Sequence, residues 1–172
     1  RIGYFTTQVT AMTTPDDPTP YRDLIHRWNL VKKTPDQGIS EPIEPIIWWI
    51  ENTTPLEFRG AIQEGVLAWN KAFEQAGFHN ALQVKVQPDD ALWDAGDIRY
   101  NVLRWTSSPN PPFGGYGPHF VNPNTGQILG ADIMLEYVYF TNRVKYEQLH
   151  RIFNADSEFK PDPINTCLVD DY

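Results

Sequence analysis

A strand, a loop rich in proline and glycine, and a hairpin follow one another between residues 97 and 135, and this order strongly constrains the fold. From Gly96 the sequence reads GDIRYNVLRWTSSPNPPFGGYGPHFVNPNTGQILGADIML. The turn residues 122–126 predict that a short strand around His119–Val121 pairs antiparallel with residues 128–135. Glycine and proline before the short strand leave its outer edge free. A free edge can bind an extended peptide as an added strand.

The clearest secondary-structure signals lie between residues 46 and 77. Residues 46–51 (IIWWIE) are apolar on both faces, which is typical of a strand buried within a sheet, and Trp48 and Trp49 are expected to be buried on opposite faces. Residues 54–57 have the pattern of a capping box, and residues 57–76 predict one amphipathic helix that ends at Gly77. The side chains expected on its core face are Phe58, Ile62, Val66, Trp69 and Phe73.

Shorter patterns complete the predicted fold. Residues 82–86 and 98–103 are typical of strands, residues 4–10 are β-prone, and residues 24–31 fit either a strand or a short helix. Residues 141–154 can form a short helix with four inward side chains: Val144, Leu149, Ile152 and Phe153. Strands separated by a helix require crossovers, so we expect a mixed, mostly parallel α/β sheet covered by one long helix.

The patterns divide the chain into three parts. Residues 1–45 are an approach segment, residues 46–138 form the sheet-and-helix domain, and residues 139–172 form a short helix and a tail. The start at Arg1, without Met or a signal peptide, is what a mature product or an excised fragment would show.

Composition narrows the class of protein. With 172 residues, 41% of them hydrophobic, the chain can bury the core of one domain. Its net charge of −8 and scattered Lys and Arg argue against nucleic-acid binding. The longest apolar run in a predicted strand, Ile46–Ile50, is too short to span a bilayer. Cys167 is the single cysteine, so no internal disulfide can form.

The sequence contains no catalytic motif and no metal-ligand spacing. No two of the four histidines are spaced as in HxxxH or HxH. We expect His26, His79 and His150 at the surface, and His119, on the edge strand, is the one histidine considered for a functional role. Residues 114–117 lack the Lys-Ser/Thr of a phosphate loop, and no serine lies in a GxSxG elbow. We therefore expect no catalytic residue and no metal site in this chain.

Residues 46–137 resemble the upper subdomain of the metzincin zinc metalloproteases, especially the matrixins. IIWWIENTTPLEFRGAIQEGVLAWNKAF resembles their first strand and long helix, and GDIRYNVLRW resembles their third strand. PPFGGYGPHFVNPNTGQILGADIML resembles their P-F-x-G-x-G loop, edge strand and fifth strand. Residues 1–5 and 27–33 resemble segments that precede this domain in a group of large, exported, zinc-dependent bacterial proteases.

The resemblance implies a twisted five-stranded sheet with the strands in the order second, first, third, fifth, fourth. Its antiparallel edge strand, residues 117–122, would bind substrate backbone. The family's zinc helix, HExxHxxGxxH, and its Met-turn have no counterpart in this sequence. Matrixin positions like His119 and Asp132 contribute to ion sites, but the other ligands are missing, so those sites are not carried over.

By this resemblance the chain is the N-terminal portion of a zinc endopeptidase that acts on peptide or protein substrates. The enzyme would be exported to the periplasm, the cell surface or the medium. The portion itself would be inactive and without bound zinc. The predicted substrate-binding residues are Gly115, Tyr116, Gly117, Pro118, His119, Phe120 and Val121.

A second class of function remains open from the residues alone. The chain could be a non-catalytic peptide- or glycan-binding module with the same fold. Trp28, Trp93 and Trp105 could stack on sugars, although their spacing gives this no support. An HExxHxxGxxH motif encoded after Tyr172 would favour the peptidase, and its absence would favour the module. The sequence does not specify the oligomeric state.

Overall fold

The computed structural model describes residues 3–10, 12, 18–109, 111 and 113–153. The strands are β1 (Thr6–Thr10), β2 (Tyr21–Ile25), β3 (Ile46–Ile50), β4 (Leu82–Val86), β5 (Asn101–Thr106), β6 (Gly115–Tyr116), β7 (His119–Val121) and β8 (Ile128–Glu136). The helices are α1 (Leu56–Ala68), α2 (Asn70–Gln75) and α3 (Tyr137–Phe153).

The main sheet has six strands in the order β4-β3-β5-β8, with β6 and β7 both on the outer side of β8. The strands β4, β3, β5 and β8 are parallel, whereas β6 and β7 run antiparallel to β8. A mixed, mostly parallel α/β sheet is therefore confirmed. The strand order also agrees with the predicted one, except that two short strands replace the single edge strand.

The strand β3 lies at the centre of the core, as its apolar sequence predicts. Ile46, Trp48 and Ile50 are buried, and Ile50 is 0% exposed. They pack with Leu82 and Leu103 from the two neighbouring strands. On the opposite face Trp49 is only partly buried, so the expected burial of both tryptophans is correct for Trp48 alone.

The single helix predicted over residues 57–76 is wrong, because two helices, α1 and α2, meet at Trp69. The Trp69 N–H donates to the Val66 carbonyl at 3.2 Å, three residues back instead of four. The Asn70 side chain donates to the Leu82 carbonyl at 3.0 Å and accepts from its N–H at 2.8 Å. These bonds tie the turn to β4, and Trp69, predicted in the core, is 66% exposed.

The predicted capping box at the start of α1 is also wrong. Pro55 is the N-cap residue, and no side chain caps the helix. Arg59 instead donates to the carbonyls of Thr54 at 2.8 Å and Asn52 at 2.7 Å, which fixes the loop between β3 and α1. Gly77 ends α2 as predicted, with a φ of +88° that glycine adopts readily.

Two other element boundaries differ from the prediction. The strand predicted over residues 98–103 begins only at Asn101, because the Asp97 carboxylate accepts from the Arg99 N–H at 3.1 Å and holds a turn there. The helix predicted over residues 141–154 begins at Tyr137, directly after β8.

The side chains of α3 also differ from the prediction. Val144, Leu149 and Ile152 were expected to face inward but are 54%, 47% and 70% exposed. The side chain of Phe153 and residues 154–172 lie outside the described residues. No helix in the described part of the chain has the length and apolar character needed to cross a bilayer.

The N-terminal segment contains an antiparallel hairpin of β1 and β2, which decides between strand and helix for residues 24 and 25. Most of the predicted linker over residues 14–20 lies outside the described residues. After the hairpin, Arg27 bonds through its N–H to the Gly126 carbonyl at 3.1 Å and through its carbonyl to the Ile128 N–H at 2.9 Å. Gly126 has a φ of +72°, and a side chain there would collide with the Ile25 backbone. The segment is thus fitted against the turn between β7 and β8.

Candidate peptide-binding edge

The predicted edge strand lies at the edge of the sheet in two pieces. In β6, Gly115 and Tyr116 pair with β8, and in β7, His119 pairs with Ala131 and Phe120 with Gly130. Within the described residues, neither piece pairs with another strand on its outer side. The edge position of residues 116–121 is therefore confirmed, whereas their role in binding stays a prediction.

The two pieces are separated by Gly117 and Pro118. The Pro118 carbonyl accepts from the Asp132 N–H at 3.0 Å, so it points toward β8. Backbone groups alternate in direction along an antiparallel strand. The N–H and C=O of His119 therefore point away from β8, toward the open side. Pro118 itself offers no N–H donor.

Exposed aromatic side chains lie along this edge. Phe113, Tyr116 and Phe120 are 46%, 54% and 43% exposed. The rings of Phe113 and Tyr116 contact each other, with centroids 5.9 Å apart. The edge therefore combines unpaired backbone groups with apolar surface.

The structure brings His119 together with His26 from the N-terminal segment. His119 Nε2 lies 2.7 Å from His26 Nδ1, and His26 Nε2 lies 2.7 Å from Thr7 Oγ1. The Phe5 ring centroid is 5.5 Å from that of His119. His26, predicted at the surface, is partly buried in this contact. No local spacing could have revealed a pair 93 positions apart.

The other two histidines match their predicted surroundings. His79 Nε2 lies 3.8 Å from Glu41 Oε1, with its side chain 43% exposed. His150 is exposed on α3. Across the residues that the structure describes, no three His, Cys, Asp or Glu side chains form a group that could hold a metal ion. Cys167 lies outside that part of the chain, so the expected lack of a metal site stays a prediction.

An apolar cavity of about 690 Å³ lies between α1 and the sheet. Apolar side chains from both layers line most of it, among them Trp48, Ile62, Val66, Leu103, Ile133 and Leu135. Apart from Trp69, the helix stripe predicted from the sequence does face the sheet, but it covers this face without filling it.

On the opposite face, Glu136 is held by a hydrogen-bond network although it is only 2% exposed. Its carboxylate accepts from the Ser108 N–H at 2.9 Å and hydroxyl at 2.8 Å, from the Thr106 hydroxyl at 3.0 Å and from the Val138 N–H at 3.2 Å. Burial opposes ionisation of this carboxyl, but these bonds outweigh burial and lower its pKa. The network joins the loop after β5 to the start of α3 through Ser108 and Val138.

Asp132 lies on the same face as Glu136, beside Val102. Burial raises the pKa of its carboxyl, against the opposing effects of a bond from the Val102 N–H and of the Arg104 charge. The bond to Val102 measures 3.3 Å. These contacts tie Asp132 to β5.

Comparisons of this chain with protein-family models, with curated proteins and with solved structures find no match. The resemblance to the metzincins therefore rests on the sequence segments quoted above.

Proposed function

We propose that this chain is the substrate-binding part of a zinc-dependent metallopeptidase of metzincin type. Its substrates are extended peptides, which add as a strand to the outer edge of β7. The observation that carries the proposal is the open edge itself, since β7 pairs only with β8 among the described residues. Export of the enzyme from the cytoplasm belongs to the same proposal and rests on the resemblance alone.

The backbone supplies the binding interactions in this proposal. The outward N–H and C=O of His119 can pair with a peptide regardless of its sequence, as in other β-strand additions. Gly117 has no side chain that would screen an approaching strand, and no described strand pairs with the outer side of β7. A peptide can therefore reach the edge without displacing any described strand.

The zinc that the resemblance implies does not fit the described residues, which offer no set of three ligands. We therefore assign no catalytic step to them. A segment carrying HExxHxxGxxH would have to supply the metal and the general base.

The peptide-binding part of the proposal can be tested on the chain itself. Peptide affinity should be measured by fluorescence anisotropy for His119→Pro and, as the matched control, His119→Ala. Both variants remove the imidazole, but only proline removes the outward N–H. We expect His119→Pro to bind peptides about five-fold more weakly than His119→Ala, the equivalent of one hydrogen bond. Equal affinities would refute strand addition at β7.

The catalytic part requires the encoded full-length protein. We expect an HExxHxxGxxH motif after Tyr172, and zinc-dependent cleavage of peptides. In that enzyme, His119→Pro should raise the Michaelis constant for peptides and leave the zinc content unchanged. A gene without the motif would refute the peptidase.

The alternative is a non-catalytic binding module, and the aromatic contacts favour peptide over glycan as its ligand. Trp93 stacks on Tyr100 with centroids 3.9 Å apart, and Trp105 stacks on Phe58 at 5.0 Å. These stacks occupy ring faces that a sugar would need. If the gene lacks the zinc motif and peptide binding still depends on the His119 N–H, the protein is a non-catalytic binding module.

A further inference from the structure

Three rings from separate parts of the chain meet beside the open edge. The His119 ring lies with its centroid 4.9 Å from that of His26 and 5.5 Å from that of Phe5. Phe5 precedes β1 and is 73% exposed, so most of its ring is available for contact. The segment 1–45, to which the sequence assigns no role, thus reaches the candidate site.

The face of the sheet on which this cluster lies follows from the strand register. His119 pairs with Ala131, which belongs to the buried core beneath α1. Directly opposed residues place their side chains on the same face, with Cβ atoms about 4.5–5.5 Å apart. A residue of an added strand that pairs with His119 on its outer side lies on that face too. Its side chain is within reach of the His119 ring, against which the Phe5 ring packs.

The position of Phe5 is fixed by the hairpin. The His26 N–H donates to the Phe5 carbonyl at 2.9 Å, and the adjacent residues Thr6 and Ile25 form the first pair of the β1–β2 ladder. The contact of the His26 ring with Thr7 restrains the same end of the hairpin. Phe5 and His26 therefore form one continuous surface beside His119.

The surface formed by Phe5 and His26 has few polar groups that could bind a charged side chain. Both ring nitrogens of His26 and one of His119 are already engaged, which leaves only His119 Nδ1 and ring surfaces. Among the described residues, no carboxylate lies within 4.0 Å of either imidazole. A side chain placed there meets aromatic surface, which favours flat or branched apolar groups over charged ones.

We propose that Phe5, His26 and His119 form a side-chain subsite that selects an aromatic or aliphatic residue at the peptide position opposite His119. The inference rests on the proposed peptide binding and adds its substrate class: extended peptides with an uncharged, apolar residue at this position. Phe5 and His26 are then specificity-determining residues, although they lie outside the sheet-and-helix domain.

A positional scan of a bound peptide tests the subsite. Each position is varied among Phe, Leu, Glu and Lys, and affinities are measured for the unmodified chain, Phe5→Ala and Phe5→Glu. The matched control is Tyr21→Ala, an aromatic residue 47% exposed at the other end of the same hairpin. One position should prefer Phe over Glu by about ten-fold, in keeping with an aromatic contact and the loss of a solvated charge.

Phe5→Ala should reduce this preference to about two-fold at that position alone, and Phe5→Glu should shift it toward Lys. The control should leave it unchanged. A preference that survives both variants, a preference for Glu, or an equal change at every position would overturn the subsite. These results are distinct from failure of strand addition, in which His119→Pro and His119→Ala bind every peptide equally well.

Discussion

The two faces of the main sheet are stabilised by different interactions. Beneath α1, alternate residues of β3, β5 and β8 are apolar, and they border the cavity of about 690 Å³. On the opposite face, β5, β8 and the residue after β3 carry side chains that bond to the backbone or to one another: Glu51, Arg104, Thr106, Asp132 and Glu136. Hydrogen bonds and an ion pair thus stabilise one face, whereas a loosely packed helix covers the other.

Aromatic contacts occur on both faces. On the polar face, Trp49 packs edge-on against Trp93 with centroids 5.4 Å apart. Beneath α1, Trp105 stacks on Phe58 with centroids 5.0 Å apart, and both rings border the cavity. Substitutions on the α1 face can therefore raise the stability of the fold. On the polar face, substitutions mainly remove bonds and lower it.

The largest effect is expected where the α1 face is tightly packed. Ile50→Ala should lower the free energy of unfolding by about 4 kcal/mol, because Ile50 is fully buried and its neighbours cannot fill the space. Leu103→Ala, which enlarges an existing cavity, should lower it by about 2 kcal/mol. Urea denaturation measures both. Equal losses would mean that the cavity is closed in solution.

The next effect should be a gain. Gly60 and Gly65 both lie in α1 with open space around an added Cβ, but only Gly65 lines the cavity. Gly60→Leu should raise the free energy of unfolding by about 0.8 kcal/mol through helix propensity alone. Gly65→Leu should raise it by about 2 kcal/mol, because its side chain is also partly buried. If the two gains are equal in thermal and urea unfolding, the cavity does not accept a side chain.

A smaller loss is expected on the polar face. The Lys85 ammonium lies 5.3 Å from the centroid of the Trp49 ring. Lys85→Met keeps most of the side-chain length but removes the charge, and should lower the free energy of unfolding by about 0.5 kcal/mol. Lys71→Met, at an exposed position of α2, serves as the control and should change nothing measurable.

The smallest expected effect is a dependence on pH through Glu136. Its folded-state pKa lies below the ordinary value of 4.5, so its contribution is complete above pH 4.5 and is lost as the pH falls through the folded pKa. Thermal unfolding should therefore show lower stability at pH 3 than at pH 6. In Glu136→Gln, whose side chain does not titrate, this difference should shrink. An unchanged difference would exclude Glu136 as its source.

The fold follows from the sequence where the signals are local. The strands β3, β4 and β8 have apolar patterns that few other structures satisfy, and Gly77 marks the end of α2 by its own backbone preference. The break at Trp69 depends on a bond between Asn70 and Leu82, which no helix periodicity reveals. The early start of α3 likewise depends on the capping of Val138 by the Glu136 side chain.

The candidate site shows the same limit. The edge position of residues 116–121 could be predicted because the hairpin turn and the Pro/Gly loop are local signals. The contact of His119 with His26 and Phe5 could not, because it depends on the pairing of β1 with β2 and on the bonds of Arg27 to the turn between β7 and β8. Its nearest sequence signal was the β-prone stretch over residues 4–10, which predicts a strand but not its neighbour.

The division of the edge into β6 and β7 also affects how copies of the chain meet at high concentration. The outer ladder offers strands of only two and three residues, separated by Gly117 and Pro118 and followed by a bulge between Phe120 and Val121. Long, flat edges are the ones that template ordered aggregates, and proline and bulges oppose this. A short peptide can bind to three residues of edge, whereas a growing fibril finds no continuous row of partners there.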